Sequence, residues 1–182
     1  MRRSGGHNGV CLPPFSWAAF GRAAKVICMS DVLAFDWGTT IVGVLDVTTD
    51  VYRAYRSLKE RLEGAKRIVD CPSIIVSFNG SGRDLPELAT ILGLPPPTYL
   101  SLKAVHHDMM PIISAIRWPP DPGSAPITGP NLADTYQLYF GTNFPAPPPQ
   151  LTDSYEISNW RDCKMTAALW TRWQRGELRS YV

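Results

Sequence analysis

Residues 32–56, VLAFDWGTTIVGVLDVTTDVYRAYR, decide the fold. VLAFDW (32–37) is short, apolar and closed by Gly38, the pattern of a buried strand. IVGVLDV (41–47) is β-branched and apolar and predicts a second strand, with Thr48-Thr49-Asp50 as the turn after it. VYRAYR (51–56) alternates apolar and basic residues, as an edge or half-exposed strand should. The three read as an antiparallel meander.

Outward from this core the pattern changes period. SLKERLEGAKRIVD (57–70) places Leu58, Leu62, Ala65 and Val69 at helical spacing, with Ser57 as N-cap, Glu60 three residues on, and Pro72 as the stop. SIIVSF (73–78) is continuously apolar, like a central parallel strand. Asn79-Gly80-Ser81-Gly82 makes a loop, and a helix runs from Asp84 to Leu92, ended by Gly93 and the prolines 95–97. Residues 101–116 predict a short helix interrupted at Pro111, and 118–130 a Pro-rich loop or lid. Residues 131–140 predict a helix between Asn131 and Gly141, and 142–152 a second Pro-rich loop. The strongest helix covers 153–175, capped by Asp153 with Glu156 three residues on and ended by Gly176. The order βββαβα followed by helices predicts an α/β protein of RNase H-like arrangement: a mixed central sheet, its first three strands antiparallel, flanked by helices.

The chain has 182 residues, enough for one domain with a real core. A net charge of +2 gives no broad electrostatic footprint for nucleic acid, so phosphate binding would need a local site. Cys11, Cys28, Cys71 and Cys163 show neither CxxC nor zinc spacing, which predicts reduced thiols and a cytoplasmic protein. No apolar run approaches the ~18 residues of a membrane span. Residues 1–28 contain Arg2, Arg3, Arg22 and Lys25 and no acid. They predict an extension outside the fold, either an organellar transit peptide or a disordered stretch read from an early start, since Met29-Ser30-Asp31 precedes the first strand. The domain is expected over 29–182.

Three aspartates sit where a soluble fold disfavours them. Asp36 lies inside an apolar strand, either capping the Gly38-Thr39-Thr40 turn or standing at the mouth of the sheet. Asp84 opens a helix in Asp84-Leu85-Pro86-Glu87, and it can cap that helix and bind a cation with different oxygens. Asp162 shares a helix face with Tyr155, Ser158, Met165, Thr166 and Leu169, where a carboxylate needs a partner. Carboxylates gathered against apolar surface repel one another and lose water, and a divalent cation resolves that strain.

Together these stretches resemble the DEDD superfamily of 3′–5′ exonucleases, the DnaQ-like branch of RNase H-like nucleases, and most closely the RNase H-like exonucleases of bacteria and phages. The likeness covers about 29–178. Its carriers are Phe35-Asp36-Trp37-Gly38-Thr39-Thr40, then Ser77-Phe78-Asn79-Gly80-Ser81-Gly82-Arg83-Asp84-Leu85-Pro86, then Asn159-Trp160-Arg161-Asp162-Cys163-Lys164-Met165-Thr166-Ala167-Ala168-Leu169. The resemblance implies hydrolysis of phosphodiester bonds at a DNA or RNA 3′ end, with Asp36, Asp84 and Asp162 as catalytic ligands of Mg²⁺ or Mn²⁺. Two ions about 4 Å apart would clamp the scissile phosphate. Thr39, Asn79 and Trp118 are the expected substrate contacts. Gly38 stands where the family carries a glutamate, Ser158 and Ile157 where it carries a Tyr or His, and Arg83 where it carries an aromatic. Tyr155 and Asp46 are candidate stand-ins for the missing groups. These departures leave an alternative: a catalytically silent module binding nucleic acid or protein on the same fold.

Other features take plainer readings. His106-His107-Asp108 predicts a surface pair followed by a helix cap. Trp160, Trp170 and Trp173 on the last helix predict core packing. DWGTTIVGVLD (36–46) also resembles the phosphate-binding opening of actin-like and resolvase-like folds. The former need two large domains, and the latter lack the FNG-Asp-Leu-Pro segment.

Overall fold

The computed structural model describes residues 32–70, 74–117, 130–141 and 143–178. Strands β1 (Val32–Trp37), β2 (Val42–Asp46) and β3 (Val51–Tyr55) form the meander, followed by α1 (Leu58–Val69) and β4 (Ile74–Ser77). Next come α2 (Asp84–Leu92), α3 (Pro96–Val105), β5 (His106–Asp108), α4 (Met109–Arg117), α5 (Leu132–Phe140) and α6 (Ser154–Gln174). The sheet order is β3-β2-β1-β4-β5. β1 pairs antiparallel with β2, and β2 with β3, while β4 runs parallel to both β1 and β5. This is the RNase H-like topology, with the apolar β1 at the centre and β3 at the edge that its alternating pattern predicts.

Strand alternation sorts β1 onto two faces. Leu33, Phe35 and Trp37 pack with Ala65 and Ile68 of α1, Leu85 and Leu88 of α2, and Leu102 of α3. Ala34 faces the other way, against Cys163 and Ala167 of α6, and Val32 joins Met109, Ile113, Leu169 and Trp170. By the same period Asp36 belongs to the α6 face. Each face buries enough apolar surface to hold its helices in place.

Local signals fix the helix ends. Ser57 and Glu60 form a reciprocal capping box at α1. Asn131 caps α5 and Asp153 caps α6, each accepting an N–H three residues on. Arg56 pairs with both Asp153 and Glu156, tying the end of β3 to the start of α6.

The middle of the chain departs from the expectation of one helix interrupted at Pro111. α3 ends at Val105, three residues form β5, and Pro111 sits in the first turn of α4, where no intrahelical N–H is lost. The His106-His107-Asp108 segment is an edge strand and not a surface pair. Ser77 Oγ and His106 Nε2 are hydrogen-bonded at 2.7 Å, and His107 lies against the rings of Trp170 and Trp173. Asp108 does cap α4, accepting from Met110 N at 3.1 Å, and it also accepts from Asn79 N at 2.7 Å and Ser81 N at 2.8 Å. Residues 1–28 and the predicted loop or lid at 118–129 lie outside the described residues. No helix among the described residues is long and apolar enough to cross a membrane.

Candidate functional site

Asp36 stands near the end of the central strand, opposite Gly43 of β2. Gly43 leaves a gap, and Asn159 of α6 fills it. A Cβ at position 43 would lie 1.7 Å from Asn159 Oδ1. From this gap Asn159 Nδ2 donates to Asp36 Oδ2 at 2.5 Å and to the Asp36 carbonyl at 3.2 Å. Tyr52 of β3 donates its hydroxyl to Asn159 Oδ1 at 2.8 Å. Asn159 is 3 % exposed, so its amide is committed to these partners. Burial raises the Asp36 carboxyl above its usual range, and the Asn159 hydrogen bond and the Arg83 charge oppose the rise.

Asp84 is the first residue of α2, and Arg83 precedes it without a side-chain cap. Asp84 therefore does not cap the helix as the sequence allowed, and Glu87 lies 3.7 Å from Arg83. The loop before α2 is held by Asp108, as described above, and by the close passage of Gly80, where a Cβ would lie 1.9 Å from Ser77 Oγ and 3.4 Å from Asp84 Oδ2. Asp84 is thus 6 % exposed, and among the described residues no donor bonds its carboxylate. Burial pushes it up to about 8, and the Asp36 charge adds to the rise.

Asp162 lies half-buried on α6 and likewise receives no hydrogen bond from the described residues. Burial pushes it up to about 7, and Asp36 is again the charge that adds to it. The expected helix face holds in its second half, where Met165, Thr166 and Leu169 are buried together with Cys163 and Trp170, and fails in its first half, where Asn159 and Trp160 are buried while Tyr155 is 72 % exposed and Ser158 is exposed. Tyr155 therefore points to solvent. Asp46 accepts the N–H groups of Thr48 and Thr49 in the β2–β3 turn, the ordinary role of a turn aspartate.

The three aspartates act on one another through Asp36, and all three act on the buried Cys163 thiol. Burial raises that thiol first, and the charges of Asp36, Asp162 and Asp84 add to it. β1, α2 and α6 thus bring the trio into one electrostatic neighbourhood. They do not close into a ligand shell: among the described residues no group of three His, Cys, Asp or Glu side chains converges closely enough to hold a metal ion. The chemistry of the donors suits a hard divalent cation, since all three supply carboxylate oxygens and two lack any other partner among the described residues. The arrangement itself falls short of a closed site: Gly38 brings no side chain, and Asn159 occupies Asp36 Oδ2.

The expected substrate contacts divide. Thr39 is exposed on the β1–β2 loop, next in the chain to the site. Asn79 is exposed with a left-handed backbone (φ 65°), and its N–H serves Asp108; its visible role is to turn the chain toward α2. Trp118 lies outside the described residues. A cavity of about 440 Å³, lined by Trp37, Arg61, Pro86, Glu87, Thr90 and Ile91, opens on the α1–α2 face, across the sheet from Asp36.

Asn159 escaped the sequence reading. Its signal was faint: a lone amide in helical register with Cys163, Thr166 and Trp170, and a glycine inside an apolar strand to receive it. No protein-family model matches this chain, and no curated protein or solved structure matches it either.

Proposed function

We propose that the chain is a metal-dependent 3′–5′ exonuclease-like nuclease that hydrolyses phosphodiester bonds of DNA or RNA. One observation carries this reading: Asp36 stands near the end of the central strand, held by Asn159, and two further carboxyl groups from separate elements, Asp84 and Asp162, are buried or half-buried within reach of its charge without hydrogen-bond donors among the described residues. Like charges gathered at a cost to the fold mark a site shaped by function. The likeness of the FNGSGRDLP and NWRDCKMTAAL segments to exonuclease motifs adds the substrate class and the direction.

In this reading Asp36, Asp84 and Asp162 would hold a divalent ion, which would supply charge neutralisation for the carboxylates and polarisation of a phosphoryl oxygen. The protein's own share is positional. Asn159 fixes the Asp36 carboxylate, the Asp108 clasp seats the start of α2, and Arg83 supplies a cation beside Asp36 and Asp84 that can meet a phosphate.

A second reading is a silent nucleic-acid-binding module, favoured by Gly38 and by the Asn159 hydrogen bond that already satisfies Asp36. One experiment separates the two. The full chain is incubated with a 5′-labelled single strand and Mg²⁺ or Mn²⁺, beside Asp84→Ala. Metal-dependent shortening from the 3′ end, absent in the variant, supports the nuclease. Identical traces overturn it, and retardation of the intact strand in a gel then supports the module.

A further inference from the structure

We propose that the cleft between α1 and α2 is a binding site for a small organic carboxylate with an apolar body. The proposal goes beyond the nuclease reading and does not depend on it, because this cleft lies across the sheet from Asp36.

The cleft measures about 440 Å³, a size that suits a small molecule. Trp37 lines it from the end of β1, Arg61 from α1, and Pro86, Glu87, Thr90 and Ile91 from α2. Buried polar groups are nearly always hydrogen-bonded. Among the described residues three buried side-chain N–H donors have no partner, and two of them, Trp37 Nε1 and Arg61 Nε, belong to residues of this one cleft. The Arg61 guanidinium lies 5.4 Å from the centre of the Trp37 ring, so the two residues are direct neighbours.

The charge of Arg61 is also uncompensated. Its hydrogen bond among the described residues is a long one, from Nη2 to the Gly38 carbonyl at 3.5 Å, and no described carboxylate forms an ion pair with it. The contact with the indole face holds the guanidinium without neutralising it. Glu87, the acid of the lining, is exposed and already lies 3.7 Å from Arg83. Thr90 spends its hydroxyl proton on the Pro86 carbonyl at 2.8 Å, so it offers a ligand no donor. Ile91, Pro86 and the indole supply apolar surface.

A guanidinium edge is a planar fork that matches the two oxygens of a carboxylate, and an indole N–H beside it can only donate. One free cation balances one negative charge, and Glu87 in the same lining opposes a dianion such as phosphate. The cleft thus selects a monoanionic carboxylate whose hydrocarbon body rests on the α2 wall.

The test uses hydrocinnamate as the probe, titrated into the full chain by calorimetry beside its neutral amide. The acid should bind with a Kd of about 0.1–1 mM. The amide should bind about tenfold more weakly, because it lacks the charge that Arg61 awaits. Arg61→Gln should weaken the acid about tenfold and leave the amide unchanged. In ¹H–¹⁵N spectra the Trp37 indole N–H and the Arg61 Nε–H should move as the acid is added. No binding of the acid at about 10 mM, equal affinity for acid and amide, or an Arg61→Gln variant that binds the acid as wild type does would each overturn the proposal. The comparison of acid and amide on wild type stands even if Arg61→Gln does not fold. None of these results touches the nuclease reading, which is tested by strand shortening.

Discussion

Replacing Asp84 with Asn should make the metal-free protein more stable at alkaline pH, and the gain should vanish in acid. The Asp84 carboxylate is 6 % exposed, and burial, with the Asp36 charge behind it, moves it from 3.8 to about 8. In the unfolded chain the same group ionises near 3.8. Between those values the folded chain keeps a proton that the unfolded chain has released. The stability attached to this group is therefore full below the lower value, falls as pH rises, and is gone above about 8. At about 1.4 kcal/mol per pH unit the interval is worth at most about 6 kcal/mol. Water drawn in around the ionised group trims this, and on the order of 3 kcal/mol is expected. For a domain of this size that is roughly 6–12 °C in melting temperature. Asn has nearly the same shape and never ionises. In EDTA, Asp84→Asn should melt with wild type near pH 4 and above it by that margin at about pH 8.5. Differential scanning calorimetry across the range decides the matter. A constant difference between the two proteins would refute the claim that Asp84 is buried without a compensating partner.

Two further outcomes follow from the same geometry. Gly43→Ala forces a Cβ into the Asn159 amide, so urea denaturation should show a loss of about 2–4 kcal/mol, and a loss under 0.5 kcal/mol would mean the cage around Asn159 is loose. His106, held down to about 4 chiefly by burial against the opposing Asp108 charge, should remain neutral in the folded protein at about pH 5.5; its stabilising share is lost as pH falls from 6.5 through about 4, and an imidazole protonated at about pH 5.5 by ¹⁵N NMR would contradict its burial between β4 and the loop after it.

The sheet was legible because its strands announce themselves locally. β1 matches its apolar run residue for residue, and β2, β3 and β4 fall within a residue of theirs at each end, since short β-branched stretches bounded by Gly and Thr have few other uses. Helices α1, α5 and α6 begin where Ser57, Asn131 and Asp153 cap them, which is also a local matter. β5 was not legible. His-His-Asp has no strand pattern of its own and becomes a strand only by pairing with β4, whose Ser77 and loop N–H groups supply its partners. The carboxylate trio could be picked out because each aspartate violates its surroundings. Asn159 could not be, since its meaning depends on a glycine 116 positions earlier that lies directly beneath it in β2. The face expected for α6 was right at Met165, Thr166 and Leu169, which are buried, and wrong at its start, where Asn159 and Trp160 are buried and Tyr155 and Ser158 are exposed.

The Asp108 clasp has a consequence for how the chain folds. The hairpins of β1, β2 and β3 close over short connections and can form from local encounters. The bonds from Asp108 to Ser81 and Asn79 span 27 and 29 residues, and the Asn159 bond to Asp36 spans 123. Such long loops close at greater entropic cost and therefore later. The polypeptide thus assembles its scaffold before it buries the three carboxyl groups, so the cost of their burial weighs on the rate of unfolding and leaves the rate of folding largely untouched.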